Sequence, residues 1–302
     1  MSIAVLIAVH DGLVVAADSA STLSIAMLPV PGAPGVNVPN IGGVANVYDN
    51  ANKIFNLIKG EAVGCVIFGT GSIGNASIGT LIKDFRLKLC SKTAKTDLGF
   101  DIADYTTEQI AKLLGEFLGA ECESKLKQPF EKKNTTIGIF IGGYSTGEGL
   151  GGSWGVEIKE GVVQPIKKLI PKEQAGVIWG GMGEVLNRIV LGYSPGLFQV
   201  LGQVIQSPRN PQELAMTLTP VLNQKLQIPL VFAPMPIQDA IDLGRFLVHS
   251  AIMFSRFMPG PQMVGGPIEV AAITKHEGFK WISRKHYYDD RLNREPIHVI
   301  HD

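Results

Sequence analysis

Apolar residues run unbroken through Ile3–Val9 and again through Leu13–Ala17. A strand with one wet face alternates apolar and polar positions; these two do not, so both are expected to be covered on both faces. Asp11-Gly12 lies between them, a strong hairpin signal because glycine accepts positive φ without steric cost. The same pattern predicts a strand pair at Ile54–Leu57 and Ala62–Phe68, turned at Lys59-Gly60. An amphipathic helix is expected over Ser72–Leu89, with Ser72 as its N-cap, and a second over about 107–127 behind the capping-box pattern Thr106-Thr-Glu-Gln109. Strands follow near 135–143, 153–158, 162–166 and 176–180. Helices are expected near 184–192, 197–206, 211–226 and, most strongly, Gln238–Met258, with last strands near 268–274 and 279–284. Strands, two helices, strands, helices, strands, with strands apolar on both sides, fit two antiparallel sheets with helices on both outer faces.

Two stretches lie outside this pattern. Residues 23–47 carry Pro29, Pro31, Pro34 and Pro39 among glycines and read as an extended loop. Lys285–Asp302 reads as a polar tail without periodicity.

Charge and composition narrow the function classes. Lys and Arg number 27, as do Asp and Glu, so the net charge is zero and no basic run favours nucleic acid or an anionic membrane. The three cysteines, Cys65, Cys90 and Cys122, lack C-x-x-C spacing, which fits a reducing, cytoplasmic compartment. No basic n-region marks a signal peptide, and no apolar run reaches the ~18 residues of a membrane span. No metal or cofactor is expected.

Candidate chemistry sits at the chain start. Removal of Met1 leaves Ser2 with a hydroxyl and a free α-amine on one framework. The hydroxyl is a nucleophile, and the amine, with an ordinary pKa of about 7.7–8.0, is its base. Such a pair needs a cation to tune the amine, an anion to hold the cation, and a backbone donor for an oxyanion. Lys53, Asp18 and Gly69 are the candidates for these roles.

The segments D-G-L-V-V-A-A-D with S-A-S-T, N-K-I-F-N-L, and F-G-T-G before a helix resemble the proteasome β-subunit-like N-terminal nucleophile (Ntn) hydrolases. Thr136–Tyr144 is similar to that family's central strand, Val177–Gly183 to its strand-to-helix turn, and Gly265-Gly266 through Gly278 to its last hairpin. All six segments occur in family order, over most of residues 2–283. The resemblance implies a single α+β domain over 1–302, a four-layer αββα sandwich of two antiparallel sheets, with a helical insertion near 193–236 and an enlarged loop at 23–47. It implies Ser2 as nucleophile, Asp18 and Lys53 as a buried ion pair, Gly69 as the oxyanion glycine and Thr136 as a supporting hydroxyl. It implies peptide or unfolded-protein substrates, a homo-oligomeric assembly and an ATP-dependent unfoldase as partner. Val264 and Pro261 stand where active members carry a serine and an aspartate.

Other readings compete. Gly69-Thr-Gly71-Ser-Ile-Gly74 matches a dinucleotide fingerprint, but Ser91–Asp97 after the helix is not strand-like, as that fold requires. His298, His301 and Asp302 form a weak metal-ligand set in the polar tail. The expected function is therefore peptide hydrolysis through an acyl-enzyme on Ser2. The alternatives are an inactive structural subunit of a proteasome-like assembly and an Ntn-class amidase acting on a small molecule.

Overall fold

A computed structural model describes residues 2–25, 43–90, 100–204 and 210–286. The first half runs β1 (Ile3–Val9), β2 (Gly12–Ala17), β3 (Ser21–Ile25), β4 (Gly43–Tyr48), β5 (Ile54–Asn56), β6 (Val63–Gly69), β7 (Ser72–Ile73), β8 (Ala76–Ser77), α1 (Ile78–Cys90), α2 (Thr107–Lys125) and α3 (Pro129–Lys133). The second half runs β9 (Thr136–Gly143), β10 (Gly152–Lys159), β11 (Val162–Val163), β12 (Lys167–Lys168), β13 (Gly176–Gly181), α4 (Glu184–Leu186) continuing as a π-turn (Asn187–Leu191), α5 (Leu197–Val204), α6 (Pro211–Leu226), α7 (Ile237–Phe257), β14 (Glu269–Thr274) and β15 (Gly278–Ser283).

The fold is α+β and its sheets are antiparallel. One sheet has the order β13-β1-β2-β14-β15; a second has β11-β10-β9-β6-β5, with β12 on β10. Side chains on a strand point alternately to its two faces, and β1 shows what that does to an all-apolar run. Ile3, Val5, Ile7 and Val9 pack with Ile241, Leu247 and Val248 of α7. Ala4, Leu6 and Ala8 point the other way, into a cluster with Val66 of β6 and Phe140 of β9. The outer side of β6 and β9, Cys65, Ile67, Ile137, Ile139 and Ile141, packs on α1 and α2. Every residue of β1 and β2 is buried. Burying one large aliphatic side chain stabilises by about 1.5–3 kcal/mol, so the chain start is anchored as firmly as a core strand.

Several expectations shift. The hairpin register pairs Val9 with Gly12 and Ala4 with Ala17, so the two-residue loop is His10-Asp11, not Asp11-Gly12. Neither His10, Asp11 nor Gly12 has positive φ. Gly12 is instead needed for space: a Cβ there would lie 2.7 Å from the Ile273 carbonyl oxygen of neighbouring β14. The helix expected from Ser72 begins at Ile78, because residues 72–77 form a small hairpin, β7-β8, turned at Gly74 with φ 57°. Ser77 caps the helix instead, its hydroxyl accepting from Thr80 N at 3.1 Å. The glycines of the fingerprint-like motif thus serve a strand end and a hairpin, not a helix start. Thr106 does cap α2, accepting from Gln109 N at 3.0 Å. The ends of the 23–47 stretch pair as β3 and β4, rather than remaining loop throughout. Residues 26–42 and 287–302, and with them His298, His301 and Asp302, lie outside the described residues. No helix among the described residues is long and apolar enough to cross a membrane.

Candidate active site

The corrected hairpin register decides where Asp18 sits. An Asp11-Gly12 loop would have set Asp18 opposite Val5. Moving the loop back one residue carries Asp18 two positions along β1, opposite Ile3: Asp18 N donates to Ile3 O at 3.3 Å. The carboxylate then turns onto the backbone. Asp18 Oδ1 accepts from Ile3 N at 2.9 Å, and Oδ2 accepts from Ala20 N and Gly265 N, each at 3.1 Å. Three backbone donors thus fix a carboxylate that is wholly buried.

Lys53, just before β5, completes this arrangement. Its Nζ donates to Asp18 Oδ1 at 2.5 Å, with the side chains 5% and 0% exposed. Lys53 and the Ile3 amide share that one oxygen, so the ammonium lies beside the peptide that joins Ser2 to Ile3. Burial lowers the Lys53 pKa below its ordinary 10.5, the largest effect; the Asp18 charge and hydrogen bond oppose it.

Gly69 ends β6 at φ 96°, a left-handed conformation that disfavours other residues. A Cβ there would come within 2.3 Å of the Thr136 carbonyl oxygen. The direction of the Gly69 N–H follows from its neighbours. Ile67 N donates to Lys53 O at 2.9 Å, while Thr70 N donates to Thr136 O at 2.7 Å. Successive amides alternate sides along a strand, so Gly69, two after Ile67, aims its N–H to the Lys53 side. There the pairing with β5 has ended.

These residues meet at one cavity of about 260 Å³, lined by Ser2, Lys53, Gly69, Ser21, Thr80 and Lys83 among others. Asp18 lies behind it. Thr136 does not line it: it is exposed, and its N–H donates to Thr70 Oγ1 at 3.0 Å. Thr136 therefore reaches the site through the backbone ladder that holds Gly69. The end of β13 closes on the chain start. Met182 N donates to Ser2 O at 2.7 Å, and a Cβ on Gly181, at φ 95°, would lie 1.9 Å from that same oxygen.

Three contributors, Gly265, Lys285 and Glu269, are not legible as site residues in the sequence, whereas Ser19 beside Asp18 is a candidate supporting hydroxyl from sequence. Gly265 reaches Asp18 only through backbone. Ser19, next to Asp18, donates to Pro267 O at 2.6 Å and accepts from Lys285 Nζ at 2.8 Å. Lys285 also pairs with Glu269 at 2.7 Å, the side chains 11% and 2% exposed. Lys285, assigned by sequence to a polar tail without periodicity, is thus part of a second buried pair. The one sequence signal is Glu269, a charge opening an otherwise apolar strand. Val264 is fully buried in the apolar cluster under α7.

Searches with protein-family models and of curated protein sequences find no match. Solved structures do match. The fold is similar to that of Anbu. The Anbu complex of Pseudomonas aeruginosa, described as a helical assembly, aligns with a TM-score of 0.53 at 13% identity, over 97% of this chain and 91% of that one. Anbu (ancestral beta-subunit) from Yersinia bercovieri aligns at 0.51 and 13%, over 95% and 89%. A Gly-1 mutant of Anbu from Hyphomicrobium sp. strain MC1 aligns at 0.52 and 12%, over 95% and 90%. At such identities the likeness to Anbu is one of fold.

Proposed function

We propose that this chain is an Ntn-class, proteasome-like hydrolase of four-layer αββα build that cleaves peptide bonds through an acyl-enzyme on Ser2 once Met1 is removed. The observation that carries the proposal is the buried Lys53–Asp18 pair, bonded to the Ile3 amide one residue from the nucleophile. A buried ion pair of this cost, placed beside a cavity rather than in a core, supports a catalytic purpose.

The steps follow from the groups present. Ser2 Oγ attacks the peptide carbonyl and its proton passes to the α-amine. The Lys53 charge keeps that amine unprotonated at neutral pH and so able to accept. Asp18 fixes Lys53. The Gly69 N–H donates to the oxyanion of the tetrahedral intermediate. The α-ammonium returns its proton to the departing amine, leaving an ester on Ser2. Water, deprotonated by the freed α-amine, then hydrolyses the ester. Thr136 supports the site by fixing Gly69, not by a hydroxyl contact.

An assembled state fits this reading, since an Anbu complex forms a helical assembly. Phe246, Phe254 and Phe257 of α7 also remain exposed as apolar surface for a second copy. A second reading, a subunit that keeps the fold without the reaction, is favoured by Val264, which brings no hydroxyl to the amine.

Intact-mass spectrometry of the protein from its own host separates the two. The expected result is loss of Met1, followed by a single adduct on Ser2 from a peptide epoxyketone, a group that consumes a hydroxyl and its neighbouring amine together. Retained Met1 with no adduct overturns the hydrolase proposal in favour of the inert subunit.

A further inference from the structure

Beside the nucleophile cavity lies a second, of about 390 Å³, walled by β5, β15 and α1. Asn52 and Lys83 line both. Five cations, Lys59, Lys83, Arg86, Arg284 and Lys285, border the second cavity against one carboxylate, Glu269. The chain as a whole is charge-balanced, with 27 basic and 27 acidic residues, so this excess is local. No ion pair joins Lys59, Lys83, Arg86 or Arg284 to a carboxylate among the described residues. A concave site lined by one sign of charge concentrates ligands of the opposite sign.

Two of the cations are held in place in advance. The Arg284 guanidinium lies 4.9 Å from the Trp281 ring centroid, and Lys285 is fixed by Glu269 and Ser19. Asn56, on the same wall, has a buried side-chain oxygen with no hydrogen-bond donor among the described residues. A ligand that carries both anionic oxygens and N–H donors answers both features. A peptide with acidic side chains is such a ligand; a simple inorganic anion is not.

We infer that this cavity is a subsite for aspartate or glutamate side chains of the peptide whose scissile bond lies at Ser2. The inference rests on the hydrolase reading above and deepens it by naming the substrate class. Lys83, shared by the two cavities, is the point at which an acidic side chain beside the cut passes from one to the other.

The test reads binding, so it does not depend on turnover. Full-length protein carrying Ser2→Ala is titrated into fluorescein-labelled hexaglutamate and hexaserine, followed by fluorescence anisotropy. Hexaglutamate is expected to bind at least ten-fold more tightly than hexaserine, and less tightly as salt rises. Adding Arg86→Gln with Arg284→Gln is expected to weaken hexaglutamate at least ten-fold, with the circular dichroism spectrum unchanged. Lys133→Gln, an exposed helix lysine bordering neither cavity, should not weaken it. If the double variant unfolds, Lys59→Gln alone must give a loss of two-fold or more. Equal binding of the two peptides, or binding indifferent to the cavity substitutions, overturns the subsite. So does inorganic phosphate that binds more tightly than hexaglutamate, which assigns the cavity to a phosphate ligand. Acidic-peptide binding by this variant, together with no epoxyketone adduct on Ser2 of the wild type, overturns only the hydrolase reading, so the two failures are distinct.

Discussion

Lys53 Nζ lies 2.5 Å from Asp18 Oδ1, with Asp18 fully buried and Lys53 exposed only at the cavity wall. The oxygen that takes this proton donor also takes the Ile3 N–H. A charge removed from water, bonded to the first strand and set against a cavity, ties the stability of the chain start to the electrostatics around Ser2, the proposed nucleophile.

Removing one member of the pair should therefore affect both. Lys53→Ala leaves Asp18 as an uncompensated buried anion. A loss of about 3–5 kcal/mol in unfolding free energy is expected, the range for breaking a buried pair, measurable by chemical denaturation. Turnover of a fluorogenic acidic peptide should fall about 10²–10⁴-fold, the share that a positioned acid–base group supplies. Unchanged turnover would show that the lysine does not tune the amine.

The depressed pKa of Lys53 makes a signed prediction about pH. In the unfolded chain the lysine holds its proton up to about 10.5, whereas the folded chain releases it earlier. Between the two values the unfolded state binds more protons, so stability rises with pH there. Unfolding free energies of the wild type and Lys53→Met, compared at intervals from neutral pH up to 10.5, should show the wild type gaining on the variant. The buried Cys65 thiol, its pKa pushed up by burial, acts in the opposite sense in both proteins and cancels in the comparison. A wild type that loses ground to Lys53→Met as pH rises would contradict the assignment.

Gly181 presses on the carbonyl of Ser2, the proposed nucleophile. At φ 95° any side chain is strained, and its Cβ would lie 1.9 Å from Ser2 O. Gly181→Ala must displace the Ser2 carbonyl and weaken its bond from Met182 N. The backbone strain alone is worth about 1–3 kcal/mol. Epoxyketone labelling of Ser2 should slow at least ten-fold while the far-ultraviolet circular dichroism spectrum is retained. Labelling at the wild-type rate would mean that the β13 end does not position the nucleophile.

The second pair is predicted to be structural first. Lys285→Ala leaves Glu269, 1% exposed, without its cation, and should destabilise by about 3 kcal/mol. Glu269→Gln together with Lys285→Met should recover most of that loss, since no buried charge is then left alone. A double variant no more stable than Lys285→Ala would place the cost elsewhere.

Much of this molecule was legible along the chain. The unbroken apolar runs at Ile3–Val9 and Leu13–Ala17 announced strands buried on both faces, because a strand with a wet face must alternate. The helical spacing around Ile110, Leu114 and Leu118 and the cap at Thr106 located α2, because both signals are local. Of the candidate site residues, Ser2, Lys53 and Gly69 line one cavity, with Asp18 behind it.

What the tertiary structure alone decided involves residues far apart in sequence. The hairpin loop fell at His10-Asp11 because Gly12 is needed where β14 crowds β2, a neighbour some 260 residues away. That one-residue shift brought Asp18 opposite Ile3, where a reading of the turn from sequence placed it opposite Val5. Gly265 before β14, Glu269 at its start and Lys285 just after β15 joined the candidate site through a backbone bond and a buried pair, and of the three only Glu269, a charge opening an apolar strand, leaves a local trace. Patterning determines which residues are buried. Which buried charge meets which partner depends on how distant strands dock, because an ion pair is a property of two positions and a sequence displays one at a time.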